Sequence, residues 1–194
     1  MHFDVVIVGA SFAGLAAART AASRGLAVAV LDNKREPGAR IHTTGILVRE
    51  AIDEIDIPHH LMRRVPGVRL YSPNLTSVDL VSPGYAFFTT RTAELLRWMA
   101  HEAKAAGAVI LSSTPFEGAS REGGLIRLFG IDVTARYLIG ADGARSRVAR
   151  AFGLSENRRF LTGLEVELEA DDAIDPRFLL QVRDWLTERV ASAV

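Results

Sequence analysis

Residues 5–32, VVIVGASFAGLAAARTAASRGLAVAVLD, read as a strand, a glycine turn, a helix and a second strand. The run FDVVIV at 3–8 is almost continuously apolar and rich in β-branched residues, as in a parallel strand covered on both faces. From Gly14 to Ser23 alanines and Leu15 dominate, good helix formers, and Gly25 stops the run where a helix C-cap belongs. AVAVL at 27–31 is the next buried strand, and Asp32 closes it. In the turn, Gly9, Ser11 and Gly14 stand where the dinucleotide-binding fingerprint G-x-G-x-x-G has its glycines. There the first glycine makes the tight turn, the second lets backbone approach a pyrophosphate, and the third lets helix and strand pack closely. Gly9 and Gly14 keep the outer roles. Ser11 narrows the middle position with a Cβ, yet its hydroxyl can donate to a phosphate oxygen. Asp32 sits where an acid accepts hydrogen bonds from ribose hydroxyls. Small residues alone suit any tight βα turn; with the second strand and its terminal acid they point to a bound dinucleotide.

Composition narrows the function classes. The chain has 194 residues, 48% of them hydrophobic, enough to bury a core in one domain or somewhat more. Lys+Arg and Asp+Glu are 23 each, so no global charge points to nucleic acid or to an acidic membrane surface. With no cysteine there is no disulfide, thiolate nucleophile or cysteine metal site, and the cytoplasm is the expected compartment. MHFD lacks a basic leader region, and no apolar run reaches the length of about 18 residues that a spanning helix needs, so a soluble chain is expected.

The rest of the chain continues the alternation of an α/β sheet. Leu95, Leu96, Met99 and Ala103 fall at helical spacing across 92–106, followed by Gly107 and the strand VILSS at 109–113. Residues 65–90 carry short β-like runs between proline and glycine breaks and read as an excursion into a second layer. Residues 125–140 read as antiparallel strands around a turn, with YLIG returning to the main sheet. That strand ends in Gly140-Ala141-Asp142-Gly143, and Ser146 precedes a helical run RVARAFG. A carboxylate among small residues at a strand's C-terminal end faces the ligand crevice of an open α/β sheet; Asp142 or Ser146 would also serve as a helix N-cap.

Together the turn and the ADGARS segment resemble the FAD-dependent oxidoreductases related to p-hydroxybenzoate hydroxylase and geranylgeranyl reductase, over roughly residues 3–165. The resemblance implies an α/β fold: a Rossmann-like FAD-binding domain with a parallel sheet at 1–64 and 89–155, and a partial, mainly β substrate domain at 65–88 and 156–194. It implies FAD held by Gly9, Ser11, Phe12, Ala13 and Gly14, by Asp32 and Asn33, and by Asp142, Gly143 and Ser146 at the ribityl and pyrophosphate region. Arg40 in PGARIHTTGI matches an arginine along the pyrophosphate, and Thr44, Gly45 and Ile46 match a segment passing the isoalloxazine ring. Arg91, before the long helix, matches a second cofactor arginine, a planar fork suited to a diphosphate. Phe116 matches the position bracketing the adenine, though a core aromatic would sit there equally well. The implied activity is NAD(P)H-driven flavin reduction followed by alkene reduction or by hydroxylation of a small-molecule or lipid-like substrate. No side chain identifies itself as acid, base or nucleophile.

Other features read as ordinary surface. His59 and His60 lie beside Arg63 and Arg64 without a carboxylate at ligand spacing, and Glu165, Glu167 and Glu169 alternate with Val166 and Leu168 as on a half-solvated strand. The basic stretch Arg145–Arg159 and the acidic one after it are set against each other, and residues 178–194 read as an amphipathic helix. The G-D-A-A-H type segment that completes the flavin site in such enzymes does not occur in this chain, nor do the cysteines of plant-type prenyl reductases near TTGI. The expectation is therefore weak FAD binding and little turnover by this chain alone, the alternative function being a FAD- or nucleotide-binding chain without turnover. Unpaired strand edges favour a homo-oligomer.

Overall fold

The computed structural model describes residues 1–160 apart from His42, Thr44 and Pro73. Contacts divide them into two units, the first comprising Met1–Gly45, Asp56–Arg63 and the described residues from Thr90 onward, the second Ile46–Ile55 and Arg64–Thr89. The segment 46–55, which the sequence reading keeps with the first domain, sorts with the second, where Ile46 and Leu47 pair antiparallel with Thr89 and Phe88.

In chain order the elements are β1 (His2–Val8), α1 (Phe12–Ser23), β2 (Val28–Leu31), β3 (Ile46–Leu47), α2 (Arg49–Glu54) and a 3-10 turn at His59–Leu61. There follow β4 (Met62–Val65), β5 (Gly67–Tyr71), β6 (Ser77–Val81), β7 (Phe87–Thr90) and α3 (Thr92–Ala105). The last are β8 (Val109–Leu111), β9 (Ala119–Glu122), β10 (Leu125–Leu128), β11 (Thr134–Gly140) and α4 (Arg147–Ala151).

The first unit is built on a six-stranded sheet in the order β8-β2-β1-β11-β10-β9. β8, β2, β1 and β11 run parallel, and β10 pairs antiparallel with β11 on one side and with β9 on the other. Every residue of β2 is buried, as the unbroken apolar run Val-Ala-Val-Leu in a central parallel strand requires. On one side α1 packs on α3, β1 and β2, burying Leu15, Ala18 and Ala22 alongside Leu95, Leu96, Met99 and Ala103. A second apolar cluster joins Val6, Val8, Ala29 and Leu31 to Phe116, Ile126, Leu128 and Val148. The expected α/β architecture is thus present, with strands at 2–8, 28–31 and 109–111, the helix at 92–105 and the 125–140 pair.

Two details differ from expectation. α1 begins at Phe12, two residues before the helical run read from Gly14. β9 and α2 were not anticipated: ASRE and REAIDE are short and carry neither a clean alternation nor an apolar stripe. The strand expected around 165–169 and the helix expected at 178–194 lie outside the described residues.

In the second unit β5 and β6 form an antiparallel ribbon with Arg69 opposite Asp79, their side chains joined at 2.5 and 2.8 Å. β7 lies between β3 and β4 in a three-stranded sheet.

Candidate functional site

The site lies at the C-terminal ends of the parallel strands of the first unit, where open α/β sheets bind ligands. The chain leaves β1 through Gly9, whose N–H donates to the Leu31 carbonyl at 2.7 Å and whose φ of +108° lies in a region open to glycine. A Cβ on Gly9 would strike the Ala141 carbonyl where β11 ends alongside, and a Cβ on Gly14 would strike the Gly9 carbonyl. The outer fingerprint glycines therefore serve backbone packing: Gly9 lets β1 meet β11, and Gly14 lets α1 lie against the turn.

Ser11 is the N-cap of α1, extended at φ −107° and ψ −168°, and its hydroxyl makes no capping bond. A serine there ordinarily satisfies one of the first N–H groups of its helix. In this turn the backbone N–H groups of Ser11, Phe12, Ala13 and Gly14 have no partner among the described residues, and the first turn's bonding begins with Leu15 N–H on the Ser11 carbonyl. Four open donors at the positive end of a helix form a place for an anion.

Asp32, at the end of β2, is the single buried charged side chain among the described residues, 7% exposed. Its carboxylate accepts from Ala10 N–H at 2.6 Å and from Lys34 N–H at 2.8 Å, locking the turn to the strand end. Each oxygen retains a lone pair for a further donor such as a ribose hydroxyl. The Asp32 carbonyl accepts from Thr114 N–H at 2.8 Å and the Lys34 carbonyl from Ser113 N–H at 2.8 Å, which lays the loop after β8 beside the acid.

Asp142 and Ser146 organise the opposite wall. Ser146 Oγ donates to Asp142 Oδ1 at 2.5 Å and accepts from Ala149 N–H at 2.9 Å, capping α4. Asp142 Oδ2 accepts from Arg147 N–H at 2.6 Å and Val148 N–H at 3.2 Å. Both side chains therefore act as caps, and Asp142 faces the cleft with its acceptors largely engaged. Gly143 takes φ +89° with open space around it, so its backbone conformation calls for glycine there.

These pieces surround a cleft of about 460 Å³. Of the residues anticipated from sequence, Gly9, Ser11, Asp32, Asn33, Arg40, Phe116, Asp142 and Gly143 line it. Phe116 does so while 6% exposed within the apolar cluster, a core aromatic that also forms part of the cleft wall. Phe12, Ala13 and Gly14 meet the site through α1 rather than as lining, and Ser146 stands behind Asp142. Arg91 does not reach the cleft: its guanidinium pairs with exposed Glu94 at 3.4 Å. Gly45 is taken up by Thr90, whose N–H and hydroxyl both donate to its carbonyl, each at 2.9 Å. Ile46 belongs to the second unit, and Thr44 lies outside the described residues.

Sequence reasoning passed over Lys34, Thr114, Arg145 and Arg147, all in the lining. Lys34 had a signal, two residues beyond the acid in DNKR. Arg145 and Arg147 were read as part of a mutually neutralised charge stretch; their signal is that they bracket the capping serine. Lys34, Arg145 and Arg147, together with Arg40, give the cleft four basic side chains against two carboxylates, an excess of positive charge that suits an anionic ligand.

This constellation of strand-end turn, open helix N-terminus and buried strand-end acid coincides with a match between residues 2–177 and the FAD binding domain family. The chain belongs to that family. It is similar to the digeranylgeranylglycerophospholipid reductase of Methanosarcina acetivorans, 30% identical over 193 residues, covering 91% of this chain and 47% of the reductase. Among solved structures, a geranylgeranyl bacteriochlorophyll reductase-like protein from Thermoplasma acidophilum superposes with a TM-score of 0.67 at 27% identity, covering 79% of this chain and 42% of that one. PqsL of P. aeruginosa superposes with a TM-score of 0.66 at 22% identity over 83% of this chain and 48% of its own, a likeness of fold. The chain thus spans under half the length of each of these three. Among the described residues no helix is long and apolar enough to cross a membrane.

Proposed function

We propose that this chain holds FAD in the cleft of its first unit as the cofactor-binding part of an oxidoreductase of the aromatic monooxygenase and geranylgeranyl reductase type, with NAD(P)H as reductant. The observation carrying the proposal is the set of open N–H groups at Ser11–Gly14 placed over the same turn that buried Asp32 locks. The donor set fits the cofactor: the α1 N–H groups and Ser11 hydroxyl address the diphosphate, Arg40 and Arg145 neutralise it, and Asp32 addresses the adenosine ribose. Bound FAD would supply hydride acceptance from NAD(P)H and delivery of reducing equivalents to an alkene or to oxygen. The substrate is a small or lipid-like molecule, in keeping with the similarity to the Methanosarcina reductase, and the setting is cytoplasmic. Among the described residues β8 and β9 are the edges of the six-stranded sheet, and association between copies would pair such edges.

A second reading, a FAD-holding chain without turnover of its own, draws support from the cleft lining. Its two carboxylates, on Asp32 and Asp142, both accept from backbone N–H groups, and among the described residues neither histidine nor cysteine lines the cleft. Purification followed by titration with FAD and with ADP, and by NAD(P)H oxidation with FAD added, separates the readings. Saturable FAD binding that ADP displaces supports both; NAD(P)H oxidation selects the first, and its absence the second. Failure of both FAD and ADP to bind would overturn the cofactor assignment.

A further inference from the structure

We infer that Arg147 caps the adenine end of the cleft, its guanidinium plane lying against the purine; this rests on the cleft's being a FAD site. The two ends of the cleft are distinguishable. The open N–H groups of α1 mark the diphosphate end. Asp32 marks the ribose on the proposed reading, and the loop after β8, which carries Phe116 two residues on, is tied to it through Thr114 N–H on the Asp32 carbonyl at 2.8 Å. Arg147 reaches that far end: its Nη1 donates to the Phe116 carbonyl at 3.5 Å. Its backbone is set from the other wall, where Asp142 Oδ2 accepts from Arg147 N–H at 2.6 Å.

Arg147 thereby spans the cleft from the start of α4 to the loop after β8. No carboxylate pairs with its guanidinium among the described residues, and its partner is a neutral carbonyl at long range. A planar, weakly hydrated cation so placed gains most by stacking on an aromatic face, and adenine supplies one. Arg145 shows the same preference within this chain, its guanidinium lying 5.3 Å from the centroid of the Phe160 ring. Asp142 acquires a positioning role in turn, since its carboxylate fixes the backbone from which Arg147 extends.

The test uses ADP and inorganic pyrophosphate as competitors of FAD with the full chain. Arg147→Ala should weaken ADP about tenfold and leave pyrophosphate within about twofold of its original affinity, while Arg147→Lys, which keeps charge but loses the plane, should recover only part of the loss. Arg40→Ala should weaken both competitors alike, because both carry the diphosphate. Unchanged ADP binding in Arg147→Ala would overturn the inference, and so would an equal loss for pyrophosphate, which would make Arg147 a phosphate ligand. If the unaltered chain bound neither FAD nor ADP, the cofactor reading would fall and this inference with it. Circular dichroism of each variant distinguishes lost contact from lost fold.

Discussion

Asp32→Ala should destabilise the ligand-free protein as well as weaken FAD. The carboxylate is 7% exposed and accepts two backbone N–H bonds, from Ala10 at 2.6 Å and Lys34 at 2.8 Å. Hydrogen bonds to a charged acceptor contribute about 1.5–3 kcal/mol each, so the pair amounts to about 3–6 kcal/mol. Water can reach the partly buried Lys34 N–H but not readily the buried Ala10 N–H, which places the net loss near about 3 kcal/mol. In a chain of this size that lowers the unfolding midpoint by about 6–12 °C. Asp32→Asn keeps the volume but turns amide hydrogens toward one of the two donors, so it should fall between the alanine variant and the unaltered chain. Thermal unfolding by circular dichroism without FAD reads the first effect, and FAD titration reads the lost ribose bonds separately. If Asp32→Ala unfolded within about 2 °C of the unaltered protein, the carboxylate would not be what holds the glycine turn to the end of β2.

Ser11→Gly should bind FAD about as well as the original, because glycine restores close approach while one hydroxyl bond is lost; Ser11→Val, compatible with the extended backbone, should fold but not bind, and normal FAD binding by the valine variant would show that the diphosphate does not pass this turn. Gly14→Ala should lower the unfolding midpoint by at least about 4 °C and impair FAD binding, since a Cβ meets the Gly9 carbonyl and α1 must withdraw; an unchanged midpoint would contradict that packing. In the β5–β6 ribbon, the hydrogen bond from Arg69 holds the Asp79 carboxyl below its usual range. The pair's contribution is therefore complete above the ordinary carboxylate range and fades as pH falls through the lowered value. An NMR titration should find Asp79 shifted back up in Arg69→Ala, and an unaltered Asp79 would show that the pair does not form in solution.

The βαβ start and its acid were legible because each rests on local chemistry. Continuous Val and Ile make a two-sided strand, alanines make a helix, and a strand-terminal Asp after a glycine turn has few other uses. The ADGARS segment was legible as a strand end and a cap for the same reason. Less legible was how the charges divide. Arg91 and Arg40 each follow a small-residue context, yet Arg91 turns to Glu94 three residues on, a neighbour on the same helix face, while Arg40 lies in the cleft at φ +47°. The short elements β9 and α2 owe their existence to partners, β9 to its antiparallel register with β10. Four residues of mixed character have no period to read.

From sequence alone came the α/β class, the glycine turn between strand and helix, and the acid at the end of the second strand, all properties carried by contiguous residues. Only the tertiary structure decided that Ser11 leaves its helix uncapped, that Asp142 spends its carboxylate on α4, and that Arg145 and Arg147 join Arg40 and Lys34 around one cleft. The physical reason is distance along the chain. Residues 9–14, 32–40, 114–116 and 141–147 become neighbours only because β1, β2, β8 and β11 align in parallel and end at the same edge of the sheet, and no local pattern records which side chains that edge will bring face to face.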